Sequence, residues 1–325
     1  MRRGLRFLVA AGLLAGLWHA GACLAQAYPD RPVKVVIPWP PGGIADTTAR
    51  LIAAHLQEAT GKPFVADNRP GAATMIGTTA VAKAPPDGYT LLLANTNIST
   101  NPSLFKTLQY DADKELTPVS LAMIIPAVLA VNASVPATNM VEFLALAKAK
   151  PGVLNFGSVG LGSFNHLAGE MLNQLAGIQL THVPYKGFAP ATAALLGNEI
   201  NILVSDLPNV AQHIKAGKLR ALAVTGRKRM AVLPDVPTLA EAGVRDYVAE
   251  GWLGIMVPAG TPRAIVTQLN AEINRGLQSP AMTDRYTSQG VELTPWTTEA
   301  FAAYILSSRS RWAQVITRGN IRLSE

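Results

Sequence analysis

The residue spacings in this sequence that could do chemistry point to holding an anion. The turn Pro40-Pro41-Gly42-Gly43 leads from an apolar run into a helical pattern, and Gly160-Leu161-Gly162-Ser163 repeats the arrangement farther along. Glycine lets backbone N–H groups approach an anion without a side chain in the way. The first N–H groups of a helix lack partners within it and favour negative charge. Two such turns facing one cleft would grip one carboxylate from both sides, with Trp39 beside the first. Ser158 and Ser163 offer hydroxyl donors, although Ser163 serves equally as a helix cap. Asp46, at the first residue of the predicted helix, either caps the free N–H groups or meets a ligand that also carries an amino group or ring nitrogen. Lys186, next to Tyr185 after a strand, pairs with an anion or is merely solvated. Asp206 accepts from a ligand donor or opens the next turn. Asn97 and Ser99, just past a strand end, are further polar candidates for the cleft.

Catalytic patterns are incomplete. His166 and Glu170 share a helix face as a metal pair would, but no third ligand is placed near them, and an ordinary surface pair is the reading adopted. The string Phe156-Gly157-Ser158-Val159-Gly160 lacks the first glycine of a nucleophile elbow. The run from Gly160 to Asn165 approaches a dinucleotide loop, yet ends in Asn with no acidic residue about 20 positions on. A phosphate-cradling GKS or GKT loop is absent. The expectation is an anion cradle without machinery: no enzyme, no cofactor, no metal.

The elements that must position these residues alternate between β-rich runs and helical patterns, the signature of parallel sheets with crossover helices. Strands are predicted at 33–37, 64–66, 89–94, 154–157, 180–183, 200–204 and 219–225. Helices are predicted at 46–60, 74–83, 140–150, 163–176, 189–196 and 209–215, from Pro262 onwards, and at 298–318. Residues 119–131 and 248–257 are long, apolar and β-prone, and each can leave one domain and enter another. If both cross, lobe 1 is discontinuous (28–119 plus 257–325) around lobe 2 (120–256), with a two-strand hinge and a cleft between. Two consecutive domains joined by one linker are the alternative.

Composition narrows the class. The 325 residues are 49 % apolar and 15 % charged, against about 25 % charged for an average soluble protein, so large cores are affordable and a disordered chain is excluded. Aromatics at 6 % argue against a base-stacking surface. Arg2, Arg3 and Arg6 precede an uncharged stretch too short to span a bilayer, which ends at Ala25-Gln26-Ala27. That is a signal peptide over 1–27, with cleavage after Ala27 and a periplasmic product. Of the 28 basic residues three are leader arginines, so against 21 acidic ones the balance falls from +7 to +4, suited to a small anion. The single cysteine, Cys23, lies in the leader, which removes disulfides and thiolate chemistry from the mature chain.

The sequence resembles the Bug family, the periplasmic solute receptors of tripartite tricarboxylate transporters (TctC-like). The resemblance is carried by residues 38–50 (PWPPGGIADTTAR), 68–72 (NRPGA), 86–90 (PDGYT), 157–166 (GSVGLGSFNH), 182–187 (HVPYKG), 234–238 (PDVPT) and 258–262 (PAGTP). It implies an α/β fold of the type II periplasmic binding protein class, two doubly wound lobes joined by a hinge. It also implies a small organic carboxylate held by the two glycine loops, delivery to the transporter's membrane subunits, and a monomer. Ala73 to Met75 depart from the pattern, where the family more often has a further glycine. An exported enzyme using Ser158 or His166, or a protein signalling to a membrane sensor, are the rival readings.

Overall fold

The computed structural model describes residues 28–293 and 295–323; the expected signal peptide, 1–27, lies outside them. The chain builds two five-stranded sheets. The first holds β1 (Val33–Ile37), β2 (Phe64–Asn68), β3 (Thr90–Asn95), β4 (Leu116–Pro126) and, much later in the chain, β10 (Glu250–Pro258). Its order is β2-β1-β3-β10-β4, with β1 parallel to β2 and β3, and β10 antiparallel to β3 and β4. The second sheet holds β5 (Val128–Asn132), β6 (Asn155–Ser158), β7 (Thr181–Pro184), β8 (Ile202–Ser205) and β9 (Leu219–Val224). Its order, β7-β6-β8-β5-β9, repeats the plan: a parallel trio, then an antiparallel pair.

The helices follow in chain order: α1 (Ile44–Thr60), α2 (Met75–Ala82), α3 (Asn97–Leu104), α4 (Ala112–Glu115), α5 (Met140–Ala149), α6 (Phe164–Ala176), α7 (Phe188–Leu196), α8 (Ala211–Lys215), α9 (Arg263–Leu277), α10 (Pro280–Thr287) and α11 (Thr298–Arg318). The apolar periodicity explains α1, whose stripe Ala45, Ala49, Ile52, Ala53 and Leu56 is buried. Gly61 closes it in the left-handed conformation, φ 69°, with its N–H on the Gln57 carbonyl. Gly177 ends α6 in the same way. Both sheets are apolar on both faces, as crossover packing requires; Leu91, Leu92 and Leu93 are all fully buried. No helix among the described residues is long and apolar enough to cross a membrane.

The strand pairing assigns the long apolar segments more finely than the sequence does. Residues 118–126 and 250–256 pair with one another inside the first sheet, and the passage to the second falls at Ala127. There Ala127 N–H donates to Thr225 Oγ1 at 2.8 Å and Thr225 N–H to the Ala127 carbonyl at 2.9 Å, while Ala249 N–H donates to the Thr225 carbonyl at 2.9 Å. Three chain segments are thus stitched together where the sheets meet. The last helix also spans the junction. Phe301, Tyr304 and Ile305 pack in a first-sheet cluster, whereas Trp312, Val315 and Ile316 pack in the second-sheet core.

An interlobe cleft as the candidate functional site

Between the sheets lies a cleft of about 750 Å³, within the usual range for a small-molecule site. Its first wall is the 38–45 loop and the start of α1. The first helical bond of α1 runs from Thr47 N–H to the Gly43 carbonyl, 3.0 Å. The N–H groups of Gly43, Ile44 and Ala45, all cleft residues, therefore have no acceptor within the helix. The opposing wall is the start of α6, where Leu167 N–H bonds the Ser163 carbonyl at 3.0 Å. Ser163 N–H and His166 N–H are taken up locally, leaving Phe164 and Asn165 as the open donors, again both in the cleft. Two positively polarised helix ends thus border one cavity from opposite sheets.

The turns themselves stand just behind this surface. Gly42 (φ 96°), Gly160 (φ 134°) and Gly162 (φ 73°) hold left-handed or related conformations, and none of the three lines the cleft. Gly43 is extended at φ −82°, and a Cβ there would meet nothing within 4 Å. Asp46 is buried beneath the first loop. Its carboxylate accepts Gly42 N–H at 3.0 Å, Asn68 Nδ2 at 2.9 Å and Arg50 Nε at 3.0 Å. These bonds, Arg50's foremost, hold its pKa at about 2 despite burial. Asn68 also donates to the Trp39 carbonyl at 2.9 Å, fixing the cleft-lining Trp39. Asp46 is therefore a brace for the loop, with its acceptor sites already occupied.

The second loop has an analogous brace. Gly162 N–H donates to His166 Nδ1 at 3.0 Å, and Ser163 caps α6 while its hydroxyl donates to the Gly160 carbonyl at 2.7 Å. The expected pair of His166 and Glu170 forms only as a loose contact, and not at the surface. His166 is buried, stacks on His182 with ring centroids 3.8 Å apart, and leaves Glu170 at 3.9 Å. Burial, and for His166 its neighbouring imidazole, pushes both pKa values down to about 4. Ser158 is fully buried, 2.6 Å from His182 Nε2, so its hydroxyl anchors this stack rather than facing the cleft.

The sequence candidates thus divide. Trp39, Gly43, Asn97, Ser163 and Asp206 come together on the cleft. Ser99 is buried against α11, Tyr185 packs with Ile200 and Leu203, and Lys186 is exposed outside the lining. Among the described residues no group of three or more His, Cys, Asp and Glu is placed to hold a metal. A third wall falls where the sequence shows the 68–72 stretch and the departure at Ala73 to Met75, though none of these residues is a site candidate there. Gly71, Ala72, Ala73 and Thr74 all have positive φ (126°, 45°, 49° and 73°) and line the cleft. The Ala73 carbonyl is held by Asn97 Nδ2 and Asn101 Nδ2, each at 2.9 Å. This bracing sustains a run of left-handed backbone that costs about 1 kcal/mol at each non-glycine.

The sequence profile described as tripartite tricarboxylate transporter family receptor matches residues 48–321. The chain belongs to this family. The receptor is 36 % identical over 319 residues to protein BugT of Bordetella pertussis, covering 98 % of this chain and 96 % of BugT. Among solved structures it is similar to R. palustris Rpa4515 with adipate, at TM-score 0.77 and 36 % identity over 91 % of this chain and all of that one. It is also similar to MatC from Rhodopseudomonas palustris with bound malate, at TM-score 0.73 and 32 % identity over 89 % of this chain and all of that one. The receptor's fold is accordingly that of the two-lobed periplasmic binding proteins. Sequence reasoning on the receptor overlooked Ile44, Ala45, Phe164 and Asn165, which stand one to three residues past the glycines. Phe188 and Trp252 also line the cleft and carried no motif.

Proposed function

We propose that this protein is an extracytoplasmic receptor that closes its two lobes around a small organic carboxylate and delivers it to the membrane subunits of a tripartite tricarboxylate transporter. The observation that carries the reading is the pair of helix N-termini, with Gly43, Ile44 and Ala45 on one side of the cleft and Phe164 and Asn165 on the other. The bound adipate and malate of the two similar structures are carboxylates of this size and support it. The working division is a first lobe of residues 28–126 plus 250–310 and a second of 127–249 with the tail of α11. The leader directs export to the periplasm, with cleavage after Ala27. The receptor acts as a monomer and binds its ligand without turnover.

Adipate and malate, each beside its diamide, test this by calorimetry and small-angle scattering. Saturable binding of an acid, compaction on binding, no product after incubation, and no binding of the amide are expected. Equal affinity for acid and amide would overturn the carboxylate cradle, and product formation would restore the enzyme reading.

A further inference from the structure

The cleft is lined by one charged side chain among the described residues, and it is an acid. Asp206 stands immediately after β8, beside the start of α6, to which β8 is tied by Asn165 Nδ2 donating to the Val204 carbonyl at 2.9 Å. Its backbone carbonyl is used by Asn209, but its carboxylate has no hydrogen-bond or ion-pair partner among the described residues. Burial pushes its carboxyl pKa up to about 6, so it is still mostly ionised at neutral pH. No Lys, Arg or His lines the cavity, whereas Trp39, Phe164, Phe188 and Trp252 do.

An unpaired carboxylate at the edge of an open cleft is satisfied by water. When lobes close and that water leaves, the charge must be matched or the closed state is penalised. No side chain lining the cleft supplies the match, which leaves a proton or a positive group on the ligand, and at neutral pH the ligand's charge is the larger gain. A second carboxylate on the ligand would meet Asp206 as a like charge. A protonated nitrogen would pair with it, and aromatic walls favour a cation further.

Resting on the carboxylate reading above, we propose that Asp206 is the acceptor for an ammonium group on the ligand, so that the cleft selects a small amino carboxylate over the matching diacid or simple acid. The helix N-termini hold the carboxylate and Asp206 holds the nitrogen. The α6 N-terminus and Asp206 share the second-sheet side of the cleft, so a short compound reaches both.

The test is a calorimetric panel of four- to six-carbon monocarboxylates and dicarboxylates with their 2-amino and terminal-amino counterparts, adipate and 6-aminohexanoate included. At least one amino compound should bind roughly 10- to 150-fold more tightly than its amine-free partner, as a charge-assisted hydrogen bond requires. Asp206→Asn, which keeps the shape, should erase that margin by weakening the amine and leave the amine-free acids as tight or tighter. Its melting temperature without ligand should match or exceed the unsubstituted protein's, and Asp206→Ser should give the same ranking. If amine-free acids bind as tightly as every amino counterpart, or if the margin survives Asp206→Asn, the assignment fails while the carboxylate receptor stands. If nothing in the panel binds, both fall together.

Discussion

The two glycine loops that face each other across the cleft are braced by the same device made from different chemistry. In the first, Gly42 N–H is held by the Asp46 carboxylate; in the second, Gly162 N–H is held by the His166 imidazole, the same four residues on. Each brace fixes a turn so that the following N–H groups stay free for a ligand. The carboxylate accepts three donors at once and is anchored by Arg50 and Asn68. The imidazole accepts one, and relies on stacking against His182 and Phe156 for its position. The lesson is that equal geometry carries unequal reserves: Gly42 N–H uses an acceptor that two other donors pin in place, whereas Gly162 N–H hangs on one nitrogen that must stay unprotonated.

The largest effect should come from Asp46→Ala. It leaves Gly42 N–H, one N–H of the Asn68 amide and the Arg50 guanidinium without their shared buried acceptor and should destabilise the protein by about 3 kcal/mol in urea unfolding. A loss below about 1 kcal/mol would show that the network is dispensable and would break the comparison.

His166→Ala should follow at about 2 kcal/mol, with at least a tenfold loss of ligand affinity because the α6 N-terminus is no longer fixed. His166→Asn supplies an oxygen for Gly162 N–H and should recover much of both. It also isolates a pH effect. The folded-state pKa of His166 is depressed from 6.5 to about 4, so its contribution is present above pH 6.5 and is lost as pH falls towards 4. The Asp46 contribution is lost only between pH 3.8 and about 2. His182 shares the upper window, while Asp206, whose pKa is raised, works against it between pH 3.8 and about 6. Stability measured from pH 7 to 4 should therefore fall less steeply in His166→Asn than in the unsubstituted protein. Identical slopes would remove His166 from the account.

Ser163→Ala removes the α6 cap and should cost about 1 kcal/mol of stability. Its hydroxyl is engaged with the Gly160 carbonyl, so affinity should change less than it does in His166→Ala. The smallest effect belongs to Ala73→Gly on the third wall. It relieves a φ of 49° and should stabilise the protein by about 0.5–1 kcal/mol, read as a small rise in melting temperature.

The strands and long helices were legible because burial here follows simple periodicity: 33–37 and 298–318 fall where the apolar pattern puts them. The glycine loops were legible as turns feeding helices, since only backbone chemistry was needed. What the pattern hid depends on residues far apart in sequence. His166 read as a partner of Glu170, because its actual neighbour His182 arrives on another strand. Helix α3 carries Ser99, Thr100 and Asn101 on its buried side and a proline at 102, so neither propensity nor hydrophobic spacing announced it. Asn97 and Asn101 donate to the Ala73 carbonyl and Ser99 to α11, contacts that no local window contains. Periodicity also shows that α11 has an apolar stripe without showing that its two halves are buried in different cores.

That division of α11 governs the order in which the molecule can assemble. β4 must wait for β10 to join it to β3, and the second core must wait for Trp312, Val315, Ile316 and Ile321. Neither half of the molecule can finish burying its apolar surface until nearly the whole chain has been synthesised. Most stabilising contacts therefore form late and across long sequence separations, which slows folding. A chain that folds late remains threadable for longer, and a truncation just before α11 would leave sockets open in both cores at once.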